Sequence, residues 1–363
     1  MVFVGGPRQV GKTTLCQAIG QGLSPKYQYL NWDNDEDRAI ILNKTWLKAS
    51  PLVIFDELHK YPHWKQWIKG VYDSRLTHQI FAVTGSARLD LYKKDGDSLL
   101  GRYHYWRIHP LSLDELPRDM TKEEGLKRLL NLGGFPEPFL QGDEREAKRW
   151  RRERFQRILK EDIRDLHPIK DIQALQLMVD ALRHRAGQLI AVANLAQDIQ
   201  ISPTTAKVWL QLIENMYLAF AIYPLTKNIN RAIQKPAKVY FYDNADLKND
   251  TGLKLENLVA THLLKRLHFL EDYYGYDCAL HYIRDKDGRE VDFVTLIDGE
   301  VIDLIEVKLS DNTISSALKY FKKQLNPKKT IQIVGNLNKS FEQDGIIVIN
   351  PIEYFINPPW DIA

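Results

Sequence analysis

The feature that most constrains this chain is a glycine-rich segment between a short apolar run and a helical pattern. Residues 6–13 read GPRQVGKT and fit the pattern GxxxxGK[ST]. The preceding run, residues 2–4, is typical of a buried strand, and residues 14–20 have a helical pattern. Because the order is strand, loop and helix, the segment predicts a phosphate-binding loop (P-loop) at the edge of an α/β sheet.

Each residue type in this loop has a physical reason. The glycines let backbone N–H groups converge on phosphate oxygens at a helix N-terminus. Lys12 is expected to reach the β- and γ-phosphates of ATP, and the Thr13 hydroxyl to bind Mg²⁺. The residues predicted to bind the nucleotide are Gly6, Pro7, Arg8, Gln9, Val10, Gly11, Lys12, Thr13 and Thr14.

Two acidic residues follow a second apolar run. Residues 52–55 are apolar throughout, which is typical of a buried strand, and Asp56 and Glu57 come directly after them. Ligands of parallel sheets bind beyond the carboxyl ends of the strands. We therefore expect Asp56 to hold Mg²⁺, directly or through water, and Glu57 to orient and deprotonate the attacking water. A solvated strand end is the alternative interpretation.

A third apolar run, residues 79–84, ends in Thr84-Gly85-Ser86. A polar side chain at this strand end could sense the γ-phosphate, and Thr84 and Ser86 are both candidates. A plain strand-to-loop turn is the alternative.

Composition limits the classes of protein that fit. The chain has 363 residues, a net charge of +3 and two cysteines. A charge this small does not indicate a nucleic-acid partner, so any DNA contact needs a local basic patch. The cysteines are too few for a disulfide framework or a structural zinc site. No apolar stretch approaches the ~20 residues of a spanning helix, and we expect a cytoplasmic protein that is not in a membrane.

Several segments together resemble a family of bacterial and archaeal AAA+ ATPases that carry a C-terminal DUF4143 region. They are GPRQVGKTT, FDELHKYPHW, TGSARL, LLGRYHYWRIHPLSLDEL and GGFPEPFL, with a charged helix that ends in KEDI. The resemblance covers nearly the whole chain and implies an α/β fold with several regions. These are a P-loop AAA+ core with a parallel sheet (residues 1–120), a helical lid (121–185), a winged helix (186–249) and an α/β domain like a restriction endonuclease (250–363).

The resemblance also suggests an arginine that acts on developing phosphate charge. Arg102 is the candidate arginine finger or sensor, Arg88 is its rival, and a surface salt bridge is the alternative for both. A finger acting in trans would require a homo-oligomer. Members usually have a basic helical segment before the P-loop, whereas five residues precede Gly6 here, so we expect a truncated N-terminus.

A second constellation consists of Glu256, Asp292, Glu306 and Lys308. A glutamate on a helix, an aspartate on a strand and Glu-x-Lys on the next strand resemble the PD-(D/E)xK nuclease core. Three carboxylates, Glu256, Asp292 and Glu306, could hold Mg²⁺ or Mn²⁺ against a phosphodiester. Lys308, on the strand face of Glu306, could polarise the phosphate. Charged residues on amphipathic strands, or an inactive relic, are the alternatives.

This constellation requires Asp292 and Glu306 to lie on one face of the sheet. A two-residue turn at Asp298-Gly299 would pair residue 297 with 300 and place Asp292 opposite residue 305, so that Glu306 points away. A three-residue loop at residues 297–299, with Gly299 left-handed, pairs residue 296 with 300 and restores a shared face. We predict the three-residue loop; a two-residue turn would need a compensating bulge.

Two segments of the middle region could contact DNA. Residues 148–157 carry six basic and two aromatic residues, and we favour packing within the lid over phosphate binding. Residues 190–217, broken at Ser202-Pro203, are typical of a helix-turn-helix. Its second helix presents one lysine and no arginine, so duplex binding and interdomain packing both remain open.

These patterns together predict Mg²⁺-dependent ATP hydrolysis coupled to action on DNA by a nuclease-like domain. The alternative is an ATP-dependent switch whose C-terminal domain is inactive and only binds nucleic acid or protein.

Overall fold

The computed structural model describes residues 1–85, 99, 101–163, 171–226, 235–247 and 250–356, without the side chains of 161–163. Ser86 and Arg88, two sequence candidates, lie outside these residues. The chain divides into two compact units, Met1–His109 with Asn215–Tyr217, and Pro110–Glu214 with Leu218–Ala363. No helix of the described part is long and apolar enough to cross a membrane.

The first unit contains a parallel five-stranded sheet. The strands are β1 (Val2–Gly5), β2 (Gln28–Asn31), β3 (Leu52–Asp56), β4 (Ile80–Thr84) and β5 (His104–Arg107). Their order is β2-β3-β4-β1-β5, and every neighbouring pair is parallel. Parallel neighbours need crossover connections, and the helices are α1 (Lys12–Leu23), α2 (Asp35–Asn43) and α3 (Trp64–Asp73). The predicted α/β fold with a parallel sheet is confirmed.

Strand β3 lies inside this sheet, and its whole length is buried. Phe55 packs edge-on against Trp67, with ring centroids 5.4 Å apart, and lies 5.6 Å from the ring of Phe81. Burial on both faces explains why residues 52–55 of the strand are all apolar. It also fixes the position of the two acids at its carboxyl end.

The second unit begins with a helical region, as predicted. Its helices are α4 (Lys122–Asn131), α5 (Pro136–Gln141), α6 (Glu144–Arg157) and α7 (Ile172–His184), with a π-helical turn at Ile158–Ile163. Thr121 and Asp143 cap α4 and α6 by accepting hydrogen bonds from backbone N–H groups.

The basic stretch on α6 packs as expected rather than lying free in solvent. Trp150 and Phe155 are buried. Arg154 is only 3% exposed, and its guanidinium lies 3.9 Å from the centre of the Phe135 ring. The exposed Arg149 pairs with Glu153 at 3.1 Å. Two of the six positive charges of this stretch are therefore engaged within the helical region itself.

A helix-turn-helix follows at the predicted position. Helices α8 (Val192–Asp198) and α9 (Pro203–Asn215) are flanked by β6 (Leu189–Ile190), β7 (Ala219–Pro224) and β8 (Ala237–Phe241). The Ser202 hydroxyl accepts a hydrogen bond from Thr205 N at 3.0 Å, so Ser202 caps α9 as predicted. An antiparallel β7–β8 pair follows the two helices, and the winged-helix assignment stays a prediction.

The C-terminal part starts with a long helix and continues as strands. The elements are α10 (Thr251–Phe269), β9 (Cys278–Arg284), β10 (Glu290–Ile297), β11 (Glu300–Lys308), α11 (Ser316–Leu325), β12 (Lys329–Val334), β13 (Phe341–Gln343), β14 (Ile346–Ile349) and α12 (Pro351–Ile356). One nine-stranded sheet has the order β13-β14-β12-β11-β10-β9-β7-β8-β6. The strands beside the helix-turn-helix thus continue the C-terminal sheet, and the domain boundaries at 120, 185 and 249 stay predictions.

His262 ties α10 to two neighbouring segments. Leu113 N donates to His262 Nε2 at 3.2 Å, and Nδ1 lies 2.8 Å from Leu258 O. The imidazole also stacks on Phe355, with ring centroids 4.1 Å apart. A neutral ring with its proton on Nδ1 satisfies both contacts, and a protonated ring would lose the first. Burial lowers the pKa of His262 to about 4.

We expect this histidine to make the stability of the protein depend on pH. A histidine with a lowered folded-state pKa contributes stability that is complete above its ordinary pKa of about 6.5 and is lost as pH falls towards 4. The free energy of unfolding should fall by up to about 3 kcal/mol over this window. Urea unfolding at several pH values measures it, with His262→Gln as the variant in which the dependence is reduced. An equally steep dependence in that variant contradicts the assignment.

Candidate functional site

The P-loop has the backbone that its glycines allow. It connects β1 to α1, and Gly6, Gln9 and Gly11 have φ angles of 136°, 64° and 94°. A Cβ on Gly6 would lie 2.3 Å from Ile108 O, so only glycine fits there. Helix α1 begins at Lys12, and its first-turn N–H groups face the loop. The loop therefore presents amides and a helix N-terminus to one point.

The side chains of the loop divide into packing and exposed positions. Pro7 and Val10 are buried, Arg8 and Gln9 are half-buried, and Thr14 is exposed. Lys12 is only 8% exposed, and its Nζ donates to Pro7 O at 2.7 Å and to Gly6 O at 3.1 Å. The ammonium thus lies within the loop, where a polyphosphate would need a cation.

Asp56 brings together residues that are far apart in the sequence. Its Oδ2 accepts from the Thr13 hydroxyl at 2.9 Å across 43 residues, and its Oδ1 accepts from the Thr84 hydroxyl. Asp56 is 6% exposed and Thr84 fully buried. Three predicted site residues therefore meet at the carboxyl ends of β3 and β4. The role of Thr84 as a γ-phosphate sensor stays a prediction.

Tyr29 belongs to the same group and was missed by sequence reasoning. Its hydroxyl donates to Asp56 Oδ2 at 2.7 Å. The register pairs Asn31 with Asp56 and Tyr29 with Ile54, so the tyrosine reaches the acid from the adjacent strand. The available signal was a polar aromatic residue in the strand that precedes β3, but only the strand order makes β2 its neighbour.

Glu57 stands one residue beyond β3 in an uncommon conformation. Its φ is 56°, in the left-handed region, which turns its side chain away from the direction that the strand would impose. Its Oε2 lies 3.4 Å from Lys60 Nζ and 3.6 Å from His59 Nε2. Burial raises the pKa of Glu57 above its ordinary value, and the Lys60 charge partly opposes this shift. A raised pKa suits a carboxylate that must accept a proton.

The donors at this site suit magnesium. Mg²⁺ prefers oxygen ligands, commonly one or two carboxylates together with substrate phosphates. Thr13 and Asp56 supply a hydroxyl and a carboxylate already in hydrogen-bond contact. Both residues would hold the ion, and its charge would neutralise that of the phosphates.

Arg102 forms an ion pair within the first unit. Its Nε lies 2.9 Å from Asp73 Oδ1, and both side chains are partly exposed. This contact matches the alternative interpretation, a surface salt bridge. The finger or sensor role of Arg102 stays a prediction.

The turn between β10 and β11 differs from the predicted one. Ile297 pairs with Glu300, so the turn has two residues, Asp298 and Gly299, with φ angles of 50° and 80°. The predicted three-residue loop is wrong, because Asp-Gly readily takes the two-residue turn with two positive φ angles.

A bulge farther along the pair restores the register that the site requires. Leu296 pairs with Val301, whereas Thr295 pairs with Asp303, so β11 has one extra residue. Phe293 consequently pairs with Ile305, and Val307 N donates to Asp292 Oδ2 at 3.0 Å. The bulge is the compensating irregularity that a two-residue turn requires for a shared face of Asp292 and Glu306, and the shared face itself stays a prediction.

The structure brings the C-terminal candidates together around a lysine that sequence reasoning missed. Lys238 Nζ lies 2.7 Å from Glu290 Oε1, 3.1 Å from Asp292 Oδ1 and 3.6 Å from Glu256 Oε1. Lys308 Nζ lies 2.6 Å from Glu306 Oε1. We call Glu256, Glu290, Asp292 and Glu306 the acidic cluster.

The crowding of buried carboxylates raises the pKa of two of them. Burial, with the nearby charge of Asp292, raises the pKa of Glu256 to about 8 and that of Glu306 to about 7. Burial alone would lower the pKa of Lys238, but Asp292, Glu256 and Glu290 outweigh it and raise that pKa. Lys238 therefore stays charged.

In this arrangement the acidic cluster does not fit a metal ion. Asp292 uses one oxygen for Lys238 and the other for Val307 N, at 3.0 Å. Across the parts of the chain that the structure describes, no three or more His, Cys, Asp and Glu side chains are placed to hold a metal. The ligand roles of Glu256, Asp292 and Glu306, and the catalytic roles of Glu306 and Lys308, stay predictions.

Three family models match successive parts of the chain. Residues 1–117 match an AAA domain. Residues 123–254 match a domain of unknown function (DUF8612), and residues 251–355 match another (DUF4143). The matches support an AAA-type ATPase with a C-terminal DUF4143 region. This much of the resemblance is confirmed.

Three uncharacterized proteins are similar to this chain in sequence. An uncharacterized protein of Methanocaldococcus jannaschii is 27% identical over 399 aligned residues, covering 98% of this chain and 86% of that protein. Uncharacterized proteins of Mycobacterium tuberculosis and Mycobacterium bovis are each 25% identical over 255 residues, or 70% of this chain. The match spans 56% of the length of the mycobacterial relatives.

One solved structure with partial similarity is a single-substitution variant of RuvB from Thermotoga maritima. It is 15% identical and covers 64% of this chain and 87% of its own. Its TM-score is 0.29, and nothing about the function of this chain is inferred from it.

Proposed function

We propose that the first unit binds Mg²⁺-ATP and hydrolyses it, and that the second unit uses this cycle to act on DNA. The observation that carries the first half is the 2.9 Å hydrogen bond from the Thr13 hydroxyl to Asp56. It joins the two predicted magnesium ligands, one of which directly follows Lys12 in the sequence. A glycine-rich loop, a buried lysine and this pair lie at one sheet edge. Binding of a nucleotide phosphate explains why these features occur together.

Each residue of the nucleotide site has a separate role in this proposed reaction. Loop amides and Lys12 bind the β- and γ-phosphates, and Thr13 and Asp56 would hold a magnesium ion whose charge would offset that of the phosphates. Water attacks the γ-phosphorus, the bond from that phosphorus to the β–γ bridging oxygen breaks, and ADP and phosphate leave. Glu57 accepts the proton of the attacking water, for which its raised pKa prepares it.

Support for a DNA partner comes from α9. Thr204, Lys207 and Gln211 are exposed on the second helix of the helix-turn-helix, which in DNA-binding versions of this motif enters the major groove. One lysine supplies little phosphate contact, so we expect weak binding with a shallow dependence on salt. Arg102 in trans, a homo-oligomer and a cytoplasmic location belong to the same proposal.

The test measures ATP hydrolysis and DNA binding in parallel. Phosphate release is followed with Mg²⁺, with a chelator, and with Mg²⁺ plus duplex or single-stranded DNA, while fluorescence anisotropy follows labelled DNA. We expect hydrolysis only with Mg²⁺ and a change in rate with DNA. Absence of hydrolysis contradicts the ATPase. Hydrolysis that ignores DNA, with no change in anisotropy at low salt, contradicts the DNA partner alone.

A second candidate is favoured by the lysine in the acidic cluster. In it, ATP drives a switch, and the C-terminal region is nuclease-like in fold but binds nucleic acid or protein without cleaving. Cleavage assays with Mg²⁺ and Mn²⁺ separate the two candidates. Cleavage by the wild type that is lost in Glu306→Ala supports a nuclease, and no cleavage in either supports the switch.

A further inference from the structure

Lys238 occupies the centre of the acidic cluster. It projects from β8, which pairs with β7 (Ile222 with Lys238), and it is 2% exposed. Lysine is almost never buried without partners, because an uncompensated ammonium in a protein interior is costly. Its three carboxylate contacts, at 2.7 to 3.6 Å, supply those partners. The cluster and the lysine therefore depend on each other.

The same strand supplies a second donor to the cluster. Tyr240 lies two residues beyond Lys238, so both side chains project from one face of β8. The Tyr240 hydroxyl donates to Glu256 Oε1 at 2.8 Å, and Tyr240 is fully buried. Strand β8 thus contributes two hydrogen-bond donors to acids that come from α10 and β10.

The existing contacts of the acidic cluster leave few carboxylate oxygens to bind a divalent ion. Glu256 Oε1 already receives Tyr240 and Lys238, and both oxygens of Asp292 are engaged. Glu306 Oε2 is the carboxylate oxygen of the cluster that is buried without a hydrogen-bond partner in the described part of the chain. Mg²⁺ requires about six oxygen ligands at about 2.1 Å, with an almost ideal octahedral geometry. The carboxylate oxygens that remain beside a fixed ammonium do not supply such a ligand set.

We infer that the Lys238 ammonium is the resident cation of the acidic cluster and excludes divalent metal from it. The carboxylates Glu256, Asp292 and Glu306 form a metal site only when this charge is removed. The inference rests on the geometry of the cluster and is independent of ATP hydrolysis. It also gives the second candidate function a physical cause, since metal-dependent cleavage needs the position that Lys238 fills.

Mn²⁺ is the probe that tests this inference. Without nucleotide, isothermal titration and the loss of the free Mn²⁺ electron paramagnetic resonance signal count bound ions. Lys238→Met keeps the side-chain length and removes the charge, and Lys319→Met removes an exposed lysine that pairs with Asp344. We expect Lys238→Met to bind Mn²⁺ at least tenfold more tightly than the wild type or Lys319→Met. The gain should vanish in Lys238→Met/Glu306→Gln.

Stability measurements keep the inference testable if Lys238→Met folds poorly. Loss of the ammonium leaves buried carboxylates without a cation, so added Mn²⁺ should raise the melting temperature of Lys238→Met and leave that of the wild type unchanged. Lys238→Arg, which retains the charge, should behave as the wild type in both measurements.

Two results would overturn the inference. One is a Mn²⁺ site in the wild type that Glu306→Gln removes. The other is a folded Lys238→Met protein that gains neither Mn²⁺ affinity nor thermal stabilisation by Mn²⁺. Phosphate release by the same proteins reports separately on the P-loop site, so a failure of the proposed ATPase leaves this outcome readable.

Discussion

Lys12→Ala is expected to lower the affinity for Mg²⁺-ATP by about 10²- to 10⁴-fold and to abolish measurable hydrolysis. Lys12 is the buried cation of the P-loop and already donates to Gly6 O and Pro7 O. Each hydrogen bond between charged groups contributes about 1.5–3 kcal/mol, and two phosphates would each lose one. Titration with a fluorescent ATP analogue and steady-state phosphate release measure the two effects.

Lys26→Ala serves as the matched control, because Lys26 is exposed in the same unit. It should change neither affinity nor turnover. If Lys12→Ala binds ATP within threefold of the wild type while its fold is intact, the loop does not bind phosphate as proposed. An affinity lost equally in both variants indicates general destabilisation instead.

Glu57→Gln is expected to separate binding from chemistry. The amide has the shape of the carboxylate but cannot accept the proton of the attacking water, so kcat should fall by about 10²- to 10⁴-fold. ATP affinity should stay within a few-fold, because Asp56 and Thr13 keep their contact without Glu57. Single-turnover hydrolysis and nucleotide titration on one preparation give both values.

Glu36→Gln removes an exposed acid of α2 and should leave both values unchanged. If Glu57→Gln retains more than a tenth of the wild-type kcat, another group accepts the proton. His59, which lies 3.6 Å from Glu57, is then the next residue to test.

Local patterns predicted the elements of the nucleotide site well. The P-loop, the apolar residues of β3 and, in the second unit, the cap of α9 depend on residues a few positions apart, so their signals are present in any window of the sequence. The turn at Asp298-Gly299 is also encoded locally, because Asp-Gly favours a two-residue turn, whereas the predicted loop had three residues.

Local patterns did not predict which residues contact each site residue. Tyr29 reaches Asp56 only because β2 is the neighbour of β3, and Lys238 reaches Asp292 across 54 residues. Neither residue belongs to a short motif. Strand order and side-chain reach decide such contacts, and both are set by packing of the whole sheet.

The bulge in β11 is a second feature that local patterns did not predict, and it concerns a single residue. The sequence required an even register between Asp292 and Glu306, but it contained no strong signal for where the extra residue would lie. By itself, the sequence determined the phosphate loop, the acids at the end of β3 and the order of helices and strands, because local hydrogen bonding and periodicity encode these. Only the tertiary structure decided that a buried lysine balances the C-terminal acids, because long-range packing brings distant charges together.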